Sequence, residues 1–340
     1  ARYFEYYGGA ADKVHGEVIP FQPGTTVAVT RGPHGVTGHI VPWNYPAQIY
    51  GRSVGAALAM GNACVLKPAE DACLSILRLA EIANEILPPG ALNVVTGRGE
   101  VAGKALSEHR GVDFLSFTGS PAVGWELKKK AGKKKVILEL GGNAAAIVDG
   151  DQGGKLDYVV ERLAFGAFYQ SGQSCIGVQR ILVHAKIYDA LREKLIAKTK
   201  SLVMGDPKDE KTFVGPMISE SESNRLAGWM ESAVQAGAKI VAGGKVDGAM
   251  FEATLLEDVK RDTDLYRKEA FGPVAILERF DDFDAALATV NDSDFGLQAG
   301  VFTDSLAHAH RAWDLLDVGG VGGEARAVQQ EVQRLHPGHF

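Results

Sequence analysis

From residue 39 onward, short apolar runs alternate with longer stretches whose apolar positions recur at helical spacing, which is how consecutive βαβ units read. Residues 63–67 predict a strand. Residues 72–87 predict a helix with Leu74, Leu77, Ile82 and Ile86 as its apolar face, stopped by Pro88, Pro89 and Gly90. A strand at 92–96, a helix around 101–108, a strand at 112–117, a helix after Pro121 and a strand at 136–140 complete the pattern of a doubly wound α/β sheet. Ahead of it, residues 1–16 read as the end of a helix. Residues 15–21 and 25–31 are β-compatible and flank Gln22-Pro23-Gly24, which is turn chemistry, so a hairpin is predicted at about 14–33. After Asn143 a second α/β lobe begins, with strands at 144–148 and 180–184 and helices at 156–169, 187–202, 219–236 and 283–290. The predicted domains are therefore 1–141 and 142–321, followed by a tail, 322–340, of different composition. No internal repeat or low-complexity segment interrupts them.

A chain of 340 residues, 46% hydrophobic and 23% charged, is long enough for two such cores. Its formal charge of −6 offers no basic footprint for nucleic acid. The lysines at 128–130 and 133–135 read as a solvated helix end and turn, since no aromatic residues interleave them. No apolar run approaches the roughly 20 residues of a membrane span, and the first residues lack the layout of a signal peptide. A cytoplasmic protein without a membrane partner is expected. Cys64, Cys73 and Cys175 are odd in number and unclustered, so reduced thiols are expected, with neither a disulfide framework nor a metal site.

Chemistry concentrates between residues 138 and 177. Glu139 stands beside Leu140-Gly141-Gly142-Asn143, where a strand end can turn a carboxylate towards a cavity. Cys175 is flanked by Ser174, Ile176 and Gly177, near Gly172, which leaves its sulfur approachable. Each residue alone would pass for a surface acid or a small buried thiol. Together they suggest a nucleophile and a general base. Cys64 lies in the apolar run Ala63-Cys64-Val65-Leu66 and Cys73 in a helical pattern, where packing roles are expected.

Further motifs accompany this stretch: Pro42-Trp43-Asn44-Tyr45-Pro46 and Val65-Leu66-Lys67-Pro68-Ala69-Glu70 upstream, and Glu269-Ala270-Phe271-Gly272-Pro273 downstream. In this order they resemble the NAD(P)-dependent aldehyde dehydrogenase superfamily. The resemblance covers residues 1–321 and implies a Rossmann-like coenzyme domain, an α/β catalytic domain and a hairpin that serves oligomerisation. It also implies oxidation of a small aldehyde to a carboxylate: Cys175 adds to the carbonyl, Asn44 with the Cys175 N–H holds the oxyanion, and Glu139 activates water against the thioester. Lys67 and Glu70 match the pair at the adenosine ribose. A carboxylate there accepts from ribose hydroxyls and repels a 2′-phosphate, which favours NAD over NADP. Phe117-Thr118-Gly119-Ser120 with Gly124 match the helix start at the pyrophosphate, and Glu269 and Phe271 match the residues at the nicotinamide ribose and ring. Tyr45 is a candidate substrate contact. So is Arg52, eight residues beyond Asn44 in a predicted helix and thus about two turns along; an arginine there suits an aldehyde with a distal carboxylate. A coenzyme-A-acylating enzyme and a catalytically silent homologue are the alternatives; Glu139 argues against the first. By this resemblance the opening segments of the coenzyme domain and the family-type ending are missing, and a homo-oligomer is expected if the termini permit.

Overall fold

A computed structural model describes residues 1–324, which divide into two units, 1–140 and 141 onward. The boundary falls one residue from the predicted one.

The first unit opens with helix α1 (Arg2–Ala10) and a hairpin of β1 (Glu17–Ile19) and β2 (Val27–Val29). Gly24 takes φ +83°, the left-handed conformation the turn requires. Arg31 crosses the hairpin, donating to the His15 carbonyl and to Glu17. The sheet then follows in chain order: β3 (Val36–Val41), α2 (Pro46–Ala59), β4 (Ala63–Pro68), α3 (Leu74–Asn84), β5 (Leu92–Val94), α4 (Lys104–Glu108), β6 (Phe114–Thr118), α5 (Pro121–Lys130) and β7 (Lys135–Glu139). Its strand order is β5-β4-β3-β6-β7, with every pairing parallel. This is the doubly wound order, and the direction of winding reverses between β3 and β6. Residues 99–103 form a wide helical turn ahead of α4, where the sequence suggested a single helix from 101.

The predicted apolar face of α3 is corrected. Leu74 and Ile86 are 79% and 84% exposed and Ile82 is also exposed, whereas Ile76 and Ala80 are buried and Leu79 and Ala83 pack beside them. The positions 76, 79, 80 and 83 keep helical spacing, and this stripe of Ile, Leu and two Ala is the one that turns inward.

The second unit carries β8 (Ala144–Val148), α6 (Leu156–Phe168), β9 (Val178–His184), α7 (Ala185–Ser201), α8 (Glu220–Gln235), β10 (Lys239–Ala242), a small ribbon of β11 (Val246–Asp247) and β12 (Met250–Phe251), β13 (Thr254–Glu257), α9 (Asp264–Arg267), β14 (Val274–Phe280), α10 (Phe283–Asn291), β15 (Gln298–Phe302), α11 (Leu306–Leu315) and β16 (Gly320–Glu324). Its sheet runs β10-β13-β14-β9-β8-β15-β16, parallel except where β10 meets β13. The central strands are apolar on both faces; all five residues of β8 are buried, as expected of a parallel sheet covered on both sides. Of the tail expected at 322–340, residues 322–324 belong to β16 and the rest lies outside the described residues.

Candidate active site

In the first unit the predicted residues gather beyond the carboxyl ends of the parallel strands, where open α/β sheets receive ligands. Asn44 and Tyr45 follow β3. Asn44 is buried, and Pro46 at the first position of α2 needs no N–H there. At the end of β4, the buried Lys67 donates to Glu70 at 2.7 Å, and the Gly99 N–H reaches the other Glu70 oxygen at 3.4 Å. The lysine bond holds the Glu70 carboxyl below its ordinary pKa, so this group is an anion available to hydroxyls.

After β6, the Gly119 N–H binds the Glu139 carbonyl at 3.0 Å and ties this turn to the end of β7. A Cβ at Gly119 would lie 2.6 Å from the Phe117 ring, and one at Gly124 would lie 2.4 Å from the Leu140 side chain. Both glycines are thus closely packed, and Gly124 lets α5 lie against the sheet. The α5 N-cap, Ser120, makes no side-chain capping bond, which leaves the helix start open to an acceptor from outside the chain. These features fit a dinucleotide: acceptors for ribose hydroxyls at Glu70 and backbone donors at the start of α5. Arg52, on α2, stands 3.9 Å from the Glu139 carboxylate, and both side chains are partly exposed. Since α2 starts only at Pro46, it is Arg52's place on that helix, not helical spacing from Asn44, that brings it to the base candidate.

In the second unit the predicted residues lie at the opposite, amino ends of the strands. Cys175 precedes β9, Glu269 and Phe271 precede β14, and the Gly-Gly pair precedes β8. The Gly142 N–H donates to Glu269 at 2.8 Å. A Cβ on Gly142 would meet the Cys175 carbonyl at 2.0 Å, and one on Gly141 would meet the Glu269 carboxylate at 2.3 Å. The Gly-Gly pair therefore lets main chain pass beside both the thiol-bearing loop and Glu269. Burial pushes Glu269 up to about 7, with the Gly142 bond and the Arg225 charge opposing the shift.

The loops here are also conformationally unusual. Among the described residues, the non-glycine positions with positive φ are Gln170, Ser171, Asp258 and Phe271, at 53°, 54°, 56° and 46°. Three of the four flank Cys175 or Glu269. Such conformations cost about 1–3 kcal/mol each and persist where surrounding contacts enforce them.

Those contacts come from residues that sequence reasoning did not single out as supports. Asn143 donates to the Tyr266 carbonyl at 2.7 Å. Gln179 donates to the carbonyls of Leu265 and Lys268 and accepts from the Ala270 N–H. The buried Arg180 donates to the carbonyls of Asn143, Thr289 and Val290. Arg225 donates to Glu222 and to the Ala270 carbonyl, over the Trp229 ring. The only local signal was an arginine and a glutamine opening the otherwise apolar strand β9.

With this geometry in hand, comparison is informative. The chain matches the aldehyde dehydrogenase family over residues 1–338 and belongs to that family. It is 44% identical over 317 residues to a 3-sulfolactaldehyde dehydrogenase of Priestia aryabhattai, an alignment covering 92% of this chain and 66% of the relative. The chain thus spans just under two thirds of that relative's length. Among solved structures, aldehyde dehydrogenase 21 of Physcomitrella patens, in complex with the reaction product succinate, is 38% identical with a TM-score of 0.92, covering 97% of this chain and 70% of that one. PnpE in complex with nicotinamide adenine dinucleotide is 36% identical with a TM-score of 0.91, covering 99% and 69%. Among the described residues no helix is long and apolar enough to cross a membrane.

Proposed function

We propose that the protein oxidises an aldehyde to a carboxylate with NAD, through a thioester on Cys175. The observation that carries this reading is the placement of Cys175, on a loop held in left-handed conformation and set against the Gly142 backbone. A close glycine contact and enforced strain favour a reacting loop over a merely packed cysteine. The Cys175 thiolate adds to the carbonyl carbon, and Asn44 with the Cys175 N–H stabilises the resulting oxyanion. NAD, when bound, accepts the hydride. Lys67, Glu70 and the start of α5 would hold its adenosine and pyrophosphate, and Glu269 with Phe271 its nicotinamide end. Glu139 then takes a proton from water, which attacks the thioester and releases the acid.

The preference for NAD over NADP rests on Glu70, whose anionic carboxyl disfavours a 2′-phosphate. Arg52 supports an aldehyde with a distal acidic group; one relative is named for a sulfo-substituted aldehyde, and one related structure holds succinate, a dicarboxylate. The hairpin, with Val18 and Phe21 turned outward, supports a homo-oligomer, and the free cysteines fit a cytoplasmic setting. The test is Cys175→Ala: NADH formation should fall by at least about 10³-fold while NAD still binds by calorimetry. Activity that follows Cys64 or Cys73 instead would sink the assignment.

A further inference from the structure

Two amino-end loops of the second unit, those of Cys175 and Phe271, meet one short segment, 215–218, which leads into α8. A single hydroxyl makes the first link. Ser171 Oγ donates to the Gly215 carbonyl at 2.9 Å and accepts from the Gly215 N–H at 3.0 Å, so it satisfies both main-chain groups of one residue. The second link is Gln173, whose Oε1 accepts from the Ile218 N–H at 2.8 Å while its own N–H binds the Gln170 carbonyl at 3.1 Å. Ser171 and Gln173 are both buried. The third link is steric. A Cβ on Gly172, at φ +68°, would strike the Gly272 carbonyl at 2.0 Å, and one on Gly272 would strike Leu226 at 2.5 Å and Met217 at 3.0 Å. Segment 215–218 thus braces the Cys175 loop through side-chain bonds and the Phe271 loop through packing.

We propose that segment 215–218 is the seat of the nucleophile loop, and that Ser171 and Gln173 are positioning residues for the Cys175 thiol. The inference rests on the assignment of Cys175 as nucleophile. Its physical basis is that residues 170–172 are held left-handed in sequence, a conformation that local preference would release. Without Ser171 Oγ the Gly215 N–H and carbonyl lose their partner, and the loop loses the bond that fixes it four residues before the thiol. The loop should then relax, leaving the sulfur more open to a small reagent and worse aligned for a bound aldehyde. A stability role alone would change neither rate at a folded site.

The experiment uses the full chain with Ser171→Ala and Ser171→Gly. Alanine removes only the hydroxyl; glycine removes Cβ as well but adopts the left-handed backbone without steric strain, so it decides the matter if the alanine variant folds poorly. Iodoacetamide labelling is followed at each cysteine by peptide mapping, with Cys73, in the first unit, as the internal reference. Labelling of Cys175 should rise about tenfold with Cys73 unchanged. In stopped flow, the NADH burst rate, normalised to burst amplitude, should fall by about tenfold or more, since a displacement near 1 Å can cost up to about a hundredfold. Cys175 labelling and normalised burst rate both within twofold of the parent would overturn the proposal. If the parent shows no burst, or one that survives Cys175→Ala, the catalytic reading fails by itself, and the labelling comparison still decides whether Ser171 holds the loop.

Discussion

The two units are built from the same parts and use opposite ends of them. In the first, Asn44, Lys67, Glu70, Gly119 and Glu139 all stand at the carboxyl ends of parallel strands, and all but β7 hand over to a helix. In the second, the Gly-Gly pair, Cys175, Glu269 and Phe271 all precede their strands. A strand-to-helix turn presents backbone N–H groups and short polar side chains, which suits phosphates and riboses. The loops of Cys175 and Glu269, entering their strands, follow a helix C-terminus and so lack the free N–H groups of a helix start. In the second unit order comes from side chains: Ser171, Gln173, Asn143, Gln179, Arg180 and Arg225 bond to main chain of neighbouring segments. On the proposed reading, the difference teaches that a binding site can be made largely from turns, whereas a positioned nucleophile needs a scaffold of its own.

The comparison can be tested most severely at Glu139, which the reading makes a catalytic contribution of the first unit. Glu139→Gln should leave one NADH burst per competent site and slow steady-state turnover by about 10³-fold, within the usual range for removing a general base. Loss of the burst itself would move Glu139 to an earlier step and blur the division of labour.

A difference in buried charge follows next. The first unit buries His39 between strands, with Nε2 2.8 Å from Thr37 Oγ1, and burial lowers its pKa from 6.5 to about 4. Between those values the unfolded chain binds a proton that the folded unit does not, so stability falls as pH drops below 6.5 and this loss levels off below about 4. The shift corresponds to about 3 kcal/mol. Denaturant melts of the parent at pH 7 and pH 4.5, compared with His39→Leu, should show the acid loss in the parent and a flatter profile in the variant. An equal acid loss in both would assign the effect elsewhere.

Glu269 gives the second unit its own pH signature. Its carboxyl, pushed up to about 7, is protonated below that value and becomes a pure acceptor above it. If it accepts from a ribose hydroxyl, NAD affinity should rise as pH increases through about 7. Glu269→Gln should weaken binding by about tenfold at pH 8, the size expected for one hydrogen bond to a charged group, and flatten the pH dependence. Titration calorimetry at several pH values measures both.

How much of this was legible follows the same divide. The strands 63–68, 144–148 and 178–184 announce themselves as apolar or β-branched runs, and Cys175, Glu139 and the Gly119–Gly124 pattern as local motifs. Strand β3 was not delimited because Gly38 and His39 interrupt its apolar run, and the inward face of α3 was misread because Ile76, Leu79, Ala80 and Ala83, not Leu74 and Ile82, face the core. The bracing residues were beyond reach. Ser171 meets Gly215 from 44 residues away and Gly142 meets Glu269 from 127, and nothing in the sequence near a serine records which distant carbonyl it will bind. Left-handed φ at Gln170, Ser171 and Phe271 is equally silent, because these side chains do not prefer it.

The smallest expected effect concerns Arg52, which the proposed reading gives a part in substrate choice. Its guanidinium stands 3.9 Å from Glu139, with side chains 40% and 43% exposed. An exposed pair at that distance is weak and screened by salt, typically below about 1 kcal/mol. Glu139 therefore holds Arg52 loosely, and an anionic group on the aldehyde can compete for the same guanidinium with a shorter, bidentate contact. Arg52→Ala should lower kcat/KM for aldehydes with a distal carboxylate or sulfonate by about tenfold relative to neutral aldehydes of the same length, and the preference of the parent should shrink as salt rises. Arg52→Lys should recover only part of it, since an ammonium cannot make the paired contact. An equal loss for acidic and neutral aldehydes would mean that Arg52 acts through Glu139 alone and that acid recognition, if present, lies elsewhere in the protein.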